Sequence, residues 1–596
     1  MLKEREYIKR KMKSKHPQRR AIDSKPIKRV LCSLSVLTLL FTLFIPQSFG
    51  RKPPPSVDFR HDGYYWTRFS YMNNLADLQN HIIPGTRGVL GESIQHTQYL
   101  THHLRWEPRV VFGSLANLKL RFDGLRDVLW GDNAGLAQTA LFAGNPSTTG
   151  LFGQDVPSIQ LTTVFMKLKL SVSELKIGRM PIHWGMGLLY NEGGNLLLRR
   201  AGIDDDFGDN HFPTIYDRVQ ITSKVFQLYD LLRGKLDTSK RTNHELIAGY
   251  AFSRVVEEPF SPGFPMDMRR PYGDKTFLSR QSSGVDEHVG VLLYRWKSFA
   301  DGISSIKKWG PNHITGGLYF AYRRQRRMED IIRLWDHSSG KLIPHDCEVT
   351  TGLPQCGANA DLYIIDPYIN VKLGRLLDLE SEAYFIAGSV EPDSIPAGNK
   401  TGRVRIHGWA VRASTRALRP FNFKVEGGQA SGDNTYEDQT YRERAMHPDH
   451  NVGLILYSEF LRQRSASLRS ITYPVFTSSS PSIDGPGGQT TGGVLNSFYF
   501  MPTVSLEFLE TLTMRLGVLS AWSHKQDGFF FPKDRGRHIG TEVDMGFDVK
   551  WGMGDDTLRH MLLRLEAGYL LFGSQVSPDY RSNGVFSLQA RLAFVL

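Results

Sequence analysis

The chain has 596 residues, of which 22% are charged, and a formal net charge of +13 at pH 7. Residues 1–50 hold twelve Lys/Arg and three Asp/Glu, so this leader accounts for +9 of the total and the remainder is weakly basic. The remainder has no zinc-spaced cysteines and no basic-aromatic RNA-binding block, which excludes a nucleic-acid partner. We also expect no cofactor and no metal.

The N-terminus predicts a secretory signal peptide. A basic segment precedes the uncharged run 31–46, and Ser48 and Gly50 supply the small residues that cleavage requires. An uncleaved membrane anchor is the alternative, although the run is short for a spanning helix. The predicted divisions are a leader and signal peptide at 1–50, a short periplasmic segment at 51–61, and a barrel domain at 62–596.

Beyond the leader, many segments alternate between apolar and polar residues. Val543 and Met545, for example, alternate with Glu542 and Asp544. An unpaired charge is costly in the dry core of a β-sandwich, so the charged faces must contact water and the apolar faces lipid. This inverted pattern predicts an all-β fold, a transmembrane antiparallel β-barrel in the bacterial outer membrane.

The alternating segments predict eighteen strands, with both termini in the periplasm. Connections alternate between short and long, as in outer-membrane barrels with short periplasmic turns and long outer loops. The predicted strands are 62–74, 103–112, 114–123, 158–171, 173–184, 216–226, 243–256, 286–298, 313–327, 361–374, 377–391, 405–417, 420–430, 493–508, 511–524, 538–551, 560–572 and 584–596.

Residues 451–461 are apolar enough to form a nineteenth strand. An odd count would place the Ser/Gly/Pro-rich stretch 477–493 on the periplasmic side, among the short turns. We therefore interpret 431–492 as a long outer loop that can fold into the lumen as a plug. A nineteenth strand is the alternative.

Two cysteines predict a local disulfide. Cys32 lies in the signal peptide, whereas Cys347 and Cys356 flank a turn-rich stretch that is exposed to an oxidising compartment. Two free thiols are the alternative. Metal binding is disfavoured because no nearby His/Cys pair has ligand spacing.

The most distinctive block is GRMPIHWGMG, at 178–187, followed by an acidic loop. Gly185 and Gly187 allow a sharp bend, and Pro181 removes a donor from the sheet ladder. The loop either enters the lumen as a constriction or leaves His183 and Trp184 in an aromatic girdle at the rim. The candidate constriction residues are His183, Trp184, Arg199, Arg200, Asp204, Asp205, Asp206 and Asp209.

This block resembles the G-R-x-x-x-x-W-G-x-G block of capsule-assembly and alginate-export outer-membrane barrels. It more closely resembles the R-M-P-x-H-W-G block of an uncharacterised family of large barrels from predatory and social bacteria. The C-terminal segment 584–596 is similar to the strand that the barrel-assembly machinery recognises, although it ends in Leu596 rather than Phe or Trp. The resemblance implies this machinery as a partner and a connection with surface polysaccharide.

The predicted function is a porin-like channel for small or polysaccharide, anionic solutes, with membrane lipid as a further partner. Rings of charge set ion selectivity in such pores. The inward-facing basic candidates are Lys167, Lys169, Arg412, Arg416, Arg515, Arg564 and Arg591. One alternative is a non-conducting barrel that anchors or assembles capsule or exopolysaccharide, and another is a barrel enzyme. We expect no enzyme, since neither a G-x-S-x-G elbow nor an H-E-x-x-H helix is present.

Overall fold

A computed structural model describes most of the chain after residue 56. The described residues are 57–74, 96–125, 128–131, 159–193, 207–208, 213–236, 243–257, 285–297, 312–325, 331–336, 341–346, 359–391, 402–434, 440–461, 492–509, 511–526, 531–552, 560–576 and 584–595.

Eighteen of the strands in the described residues form the wall of one barrel. Their bounds are β1 Val57–Asn73, β2 His96–Phe112, β3 Ala116–Gly124, β4 Ile159–Lys169, β5 Ser173–Pro181, β6 Ile215–Lys224, β7 His244–Glu257, β8 Val285–Lys297, β9 Asn312–Gln325, β10 Asn359–Leu373, β11 Leu377–Glu391, β12 Gly402–Thr415, β13 Phe421–Ala430, β14 Ser497–Leu509, β15 Leu512–Ser523, β16 His538–Gly552, β17 His560–Phe572 and β18 Val585–Val595.

The barrel is closed and antiparallel. Each wall strand pairs with its neighbours in chain order, and β18 pairs with β1 from Tyr64 opposite Val595 to Asn73 opposite Phe586. Closure leaves every wall strand with a partner on both sides, so backbone N–H and C=O groups are satisfied within the sheet. The prediction of an eighteen-stranded antiparallel barrel is confirmed.

The two faces of the wall have the inverted polarity that the sequence predicts. On β16, Val543 and Met545 are 39% and 55% exposed on the outside, whereas Glu542 and Asp544 are fully buried on the inside. Large apolar side chains are likewise exposed on the outer face of β7, β9, β10 and β15. An apolar exterior around a polar interior is the arrangement that lipid requires.

Connections at one end of the barrel are mostly short, and most of those at the other end are longer. Three-residue turns follow β2, β4 and β10, and the helix α1, Val225–Leu232, follows β6 at the same end. We assign this end to the periplasm, because outer-membrane barrels place their short turns there. No described helix is long and apolar enough to cross a membrane.

Smaller elements lie beside the wall. The strand Val128–Gly131 pairs with β2, and Thr440–Tyr441 runs parallel to β12. Ile331–Asp336 and Lys341–Asp346 form a separate hairpin. The main hydrophobic cluster lies inside the barrel, where residues from the long connections pack against the wall.

Many strand ends differ from the prediction by a few residues, and three of these differences bear on the lumen and the seam of the barrel. β1 begins at Val57, within the predicted periplasmic segment 51–61, and β2 begins at His96 rather than 103. The ladder continues over both extensions, because 57–61 pairs with 108–112 of β2 and 96–102 pairs with 67–73 of β1. β5 ends at Pro181 rather than Trp184: Ile182 still donates to Thr214, one position beyond the last ladder pair, whereas the N–H of Trp184 donates to Tyr190 within the following loop.

Candidate functional site: the barrel lumen

The chain turns into the lumen after Pro181. Gly185 and Gly187 have φ values of +54° and +82°, which glycine adopts without strain. The N–H of Trp184 donates to the carbonyl of Tyr190 at 3.1 Å, and the N–H of Gly187 donates to the carbonyl of Trp184 at 2.9 Å. Residues 182–193, which we call the first lumen segment, therefore form a compact loop.

Glu382 on β11 anchors the first lumen segment to the wall. Its carboxylate accepts the N–H groups of Met186, of Gly187 at 3.0 Å and of Leu188 at 3.1 Å. Three successive backbone donors on one buried carboxylate thus fix the position of the loop.

Trp184 lies inside the lumen rather than in a girdle at the rim. Its Nε1 donates to the carbonyl of Asp366 at 3.0 Å, and its ring centroid is 5.5 Å from that of Tyr319. The side chain is 8% exposed, whereas the neighbouring His183 is exposed. Trp184 therefore faces the lumen, and its role in a constriction stays a prediction.

Glu287 on β8 is a second contact point for the same segment. Its carboxylate accepts the hydroxyl of Tyr190 at 3.2 Å, the hydroxyl of Tyr319 at 3.0 Å and Nε of Arg323 at 3.0 Å. Arg323 also donates to the hydroxyl of Tyr216 at 2.6 Å. Sequence reasoning missed this network, since its members are distant in the chain and meet through strand register.

A second part of the chain also fills the lumen: residues 444–461, which we call the second lumen segment. The carboxylate of Glu542 on β16 accepts the N–H groups of Leu454 at 2.5 Å, Ile455 at 2.7 Å and Leu456 at 2.7 Å. One turn of π-helix, Leu456–Leu461, follows. Its apolar side chains are at most 1% exposed, so these residues pack inside the barrel and do not form a nineteenth strand, while a plug formed by the whole of 431–492 stays a prediction.

The two lumen segments are joined to each other. The N–H of His447 donates to the carbonyl of Leu188 at 2.7 Å, and Nε2 of His447 lies 3.1 Å from the hydroxyl of Thr214. The N–H of Met446 donates to the carbonyl of Val494 at 2.8 Å, which adds residues just before β14. The plug is therefore one connected body held at Glu382, Glu287 and Glu542.

A short piece of the acidic loop reaches the opposite wall. The N–H of Gly208 donates to Glu566 at 3.3 Å, and the guanidinium of Arg515 lies 5.3 Å from the ring centroid of Phe207. Some predicted residues fall outside the described part of the chain, and their predictions stay predictions. They are Arg199, Arg200, Asp204, Asp205, Asp206, Asp209, Cys347, Cys356 and the leader 1–50.

Four of the predicted inward arginines are shielded by acids or by packing. Arg412 pairs with Glu426 at 2.6 Å. Arg515 and Arg564 pair with Asp548 at 3.4 and 2.9 Å, and Arg591 is 2% exposed beside Trp66. Arg416 lies in the turn that follows β12. Arg515, Arg564 and Arg591 are therefore buried in the wall network, whereas Arg412 stays 24% exposed beside Glu426.

Lys167 and Lys169 belong to a different region, an arc of basic residues on the inner face of β2–β5. The basic members of this arc are Arg109, Lys119, Arg121, Lys167, Lys169 and Lys176, and the acids beside them are Asp62, Glu107 and Glu174. Arg109, Lys167 and Lys176 keep 31%, 25% and 30% of their side chains exposed. Six cations against three acids leave this basic arc with excess positive charge.

The closed barrel, with its apolar exterior, its charged interior and the segments that fill its lumen, defines the class of protein to which the chain belongs. Only closed barrels satisfy all strand backbone groups in lipid, and only the outer membrane type combines short turns with long outer loops. The chain is a bacterial outer-membrane β-barrel protein.

Comparison with known proteins gives a likeness of fold. No known family profile matches the chain, and no curated protein sequence matches it. OccK2 (OpdF) of Pseudomonas aeruginosa is 11% identical, with 90% of this chain and 98% of that chain covered and a TM-score of 0.42. The BenF-like porin of Pseudomonas fluorescens Pf-5 is 12% identical, with the same coverage and a TM-score of 0.41. OccK11 (OpdR) of Pseudomonas aeruginosa is 10% identical, with 90% and 96% covered and a TM-score of 0.39.

Proposed function

We propose that the chain is a porin-like channel for small anionic solutes, or for short anionic polysaccharide, and that the plug restricts its lumen. The basic arc is the observation that carries the proposal. It lies in the periplasmic half of the lumen, where its cations are partly exposed and outnumber their acids. Charged walls with low-dielectric surroundings concentrate counter-ions and select between them.

The arc is better suited to this role than the other inward arginines. Lys167 and Lys176 share the single carboxylate of Glu174, at 2.5 and 3.4 Å, so one positive charge of the three groups is uncompensated. Arg515 and Arg564, by contrast, lie between Asp548 and Glu566. A solute that passes the plug would therefore encounter net positive charge chiefly on β2–β5.

Single-channel recording in planar bilayers tests the proposal. The variant Lys119→Gln/Lys176→Gln should shift the reversal potential in a KCl gradient toward cations. The matched control is Lys372→Gln/Lys550→Gln, which removes the same charge from the inner face of β10 and β16 and should leave the potential nearly unchanged. Equal reversal potentials in both variants would remove the arc from the selectivity argument.

The plug favours a second candidate, a non-conducting barrel that anchors surface polysaccharide. The second lumen segment is buried along its π-helical turn and fixed by Glu542, so it is an obstacle to conduction. If neither the wild-type protein nor Glu382→Gln/Glu542→Gln conducts while both are folded, the channel is abandoned. Retention of acidic polysaccharide on cells that carry the protein, lost on its deletion, would then support the anchor.

A further inference from the structure

Six charged residues of alternating sign form a row on the outside of the barrel, one on each of six neighbouring strands. We call them the outer charge row: Arg179 on β5, Asp217 on β6, Arg254 on β7, Asp286 on β8, Arg324 on β9 and Asp361 on β10. Each residue stands opposite the next in the strand register. Such alternation requires six strands to agree in register, which makes the row a property of the fold.

Neighbours in the row form ion pairs. Arg179 binds Asp217 through two nitrogens, at 2.8 and 2.9 Å. Arg254 binds Asp286 through Nε at 2.8 Å, and Nε of Arg324 lies 3.7 Å from Asp361. The guanidinium-bearing side chains of Arg254 and Arg324 nevertheless remain 48% and 50% exposed. These pairs are therefore open to a further partner from outside the wall.

The row faces away from the lumen, at the outer ends of the strands. Arg323 enters the lumen network at Glu287, so the next residue, Arg324, points to the other face. Each member lies one to three residues from the outer end of its strand. An exposed arginine or aspartate in the hydrocarbon layer is strongly unfavourable, so this position indicates the headgroup region.

A row of aromatic rings lies two residues from the outer charge row along each strand, toward the middle of the membrane. This row supports a position of the charges in the headgroup region. Phe252, His288, Tyr322 and Tyr363 stand opposite one another on β7–β10. Their successive ring centroids are 5.1, 6.4 and 5.2 Å apart. Such rings occupy the boundary between hydrocarbon and headgroups. The charges above them are thus level with the polar parts of the outer-leaflet lipids.

The shape of the wall favours lipid over a second copy of the chain. Strands are spaced by about 4.8 Å, so five intervals extend the row over roughly 24 Å of convex surface. Two convex barrels touch over a few strands and would leave most of the row uncovered. Lipid headgroups follow the curved wall and can contact every member.

The chemistry of the row fits phosphate. A guanidinium matches the planar, bidentate geometry of phosphate oxygens, and aspartate oxygens bind divalent cations or amines that accompany phosphate groups. We propose that the outer charge row binds the phosphate-bearing headgroups of outer-leaflet lipids. Arg254 and Arg324 hold the phosphates, and Asp286 and Asp361 hold bridging divalent cations.

Native mass spectrometry of the folded full-length protein in detergent tests this, with diphosphoryl lipid A and Mg²⁺ as the probe. Arg254→Gln/Arg324→Gln should weaken binding about tenfold, because two charge-assisted contacts are lost. The control Arg60→Gln/Arg375→Gln removes the same charge at the short-turn end and should bind like the wild type. Asp286→Asn/Asp361→Asn should abolish the gain that Mg²⁺ produces.

Several outcomes would overturn the proposal. They are equal binding by the row variant and the wild type, displacement of the lipid by millimolar inorganic phosphate, and a dimer peak that only the row variant loses. If the Gln variant fails to show the heat-modifiable mobility of a folded barrel, Arg324→Lys replaces it. Lysine retains the charge but not the planar, bidentate geometry of the guanidinium. Binding weaker than wild type therefore supports the proposal, and equal binding contradicts it.

Discussion

His447 donates its backbone N–H to the carbonyl of Leu188 at 2.7 Å, and this contact joins two parts of the chain that enter the lumen from different loops. Leu188 is held at the same time by Glu382, and the segment that contains His447 is held by Glu542. A change at either glutamate should therefore affect the whole plug.

Glu542→Gln should release the second lumen segment. The amide keeps the shape of the side chain but replaces one of the two acceptor oxygens with an NH₂ donor, which leaves a buried backbone N–H without its acceptor and should lower the free energy of unfolding by about 1–3 kcal/mol. Hydrogen exchange at Leu454, Ile455 and Leu456 should accelerate before exchange in the wall. Glu507→Gln on the exposed end of β14 is the control, and equal exchange in both variants would contradict the anchoring role.

Arg323→Met should destabilise the barrel strongly. It removes the cation nearest to Glu287 in a site where both side chains are almost inaccessible, at 7% and 0% exposure. An uncompensated buried charge costs about 3–5 kcal/mol. The adjacent Arg324→Met removes a half-exposed side chain on the opposite face and should cost at most about 1 kcal/mol. Urea titration of tryptophan fluorescence measures both, and similar losses would reject the Glu287 network.

Gly187→Ala should disturb the first lumen segment. The residue has φ +82°, and an added Cβ would meet the side-chain amide of Asn191. We expect a loss of about 1–3 kcal/mol from strain and crowding. Gly234→Ala, at φ +67° with open space around it, isolates the strain alone and should cost about 1 kcal/mol. Thermal unfolding measures the loss of stability in both variants. Equal losses would show that crowding against Asn191 does not contribute.

The surroundings of His524, just beyond the outer end of β15, predict that the stability of the folded protein depends on pH. Burial, followed by the nearby charges of Lys525, His407 and Arg537, lowers its pKa to about 4. Its Nδ1 accepts the N–H of Gly432 at 3.1 Å, which requires the neutral ring. Since the folded pKa lies below the ordinary value, this stability is present above pH 6.5 and is lost as pH falls toward 4.

The measurement for His524 is the thermal midpoint between pH 7.5 and 4. His524→Gln, which keeps an acceptor but does not titrate, should show a smaller loss than the wild type. Identical pH profiles would exclude His524 as the titrating group.

The wall was predictable because its signal is local. Alternation such as that of Val543 and Met545 against Glu542 and Asp544 follows from the two faces of one strand, and loop length gives the orientation. The anchors were not predictable in the same way. Glu382 and Glu542 read as ordinary inward charges, since their partners lie about 195 and 87 residues away and meet them only in the folded barrel.

The register between neighbouring strands explains why the outer charge row could not be predicted from the sequence. Arg179 has the parity of the lipid-facing Ile177, and the sequence alone requires for it either a bulge or a rim position. The structure shows a rim position opposite Asp217, and the four further members of the outer charge row follow from pairings between strands. Pairing between strands is a property of the tertiary structure, and periodicity within one strand does not contain it.

The seam between β1 and β18 also bears on how the cell makes this protein. Asn74 donates its side-chain amide to the carbonyl of Gly584 at 3.3 Å, across 510 residues of chain. A product of interrupted translation that lacks β18 would leave β1 and β17 with unpaired edges, which lipid does not tolerate. Synthesis must therefore include β18 before any stable membrane form exists.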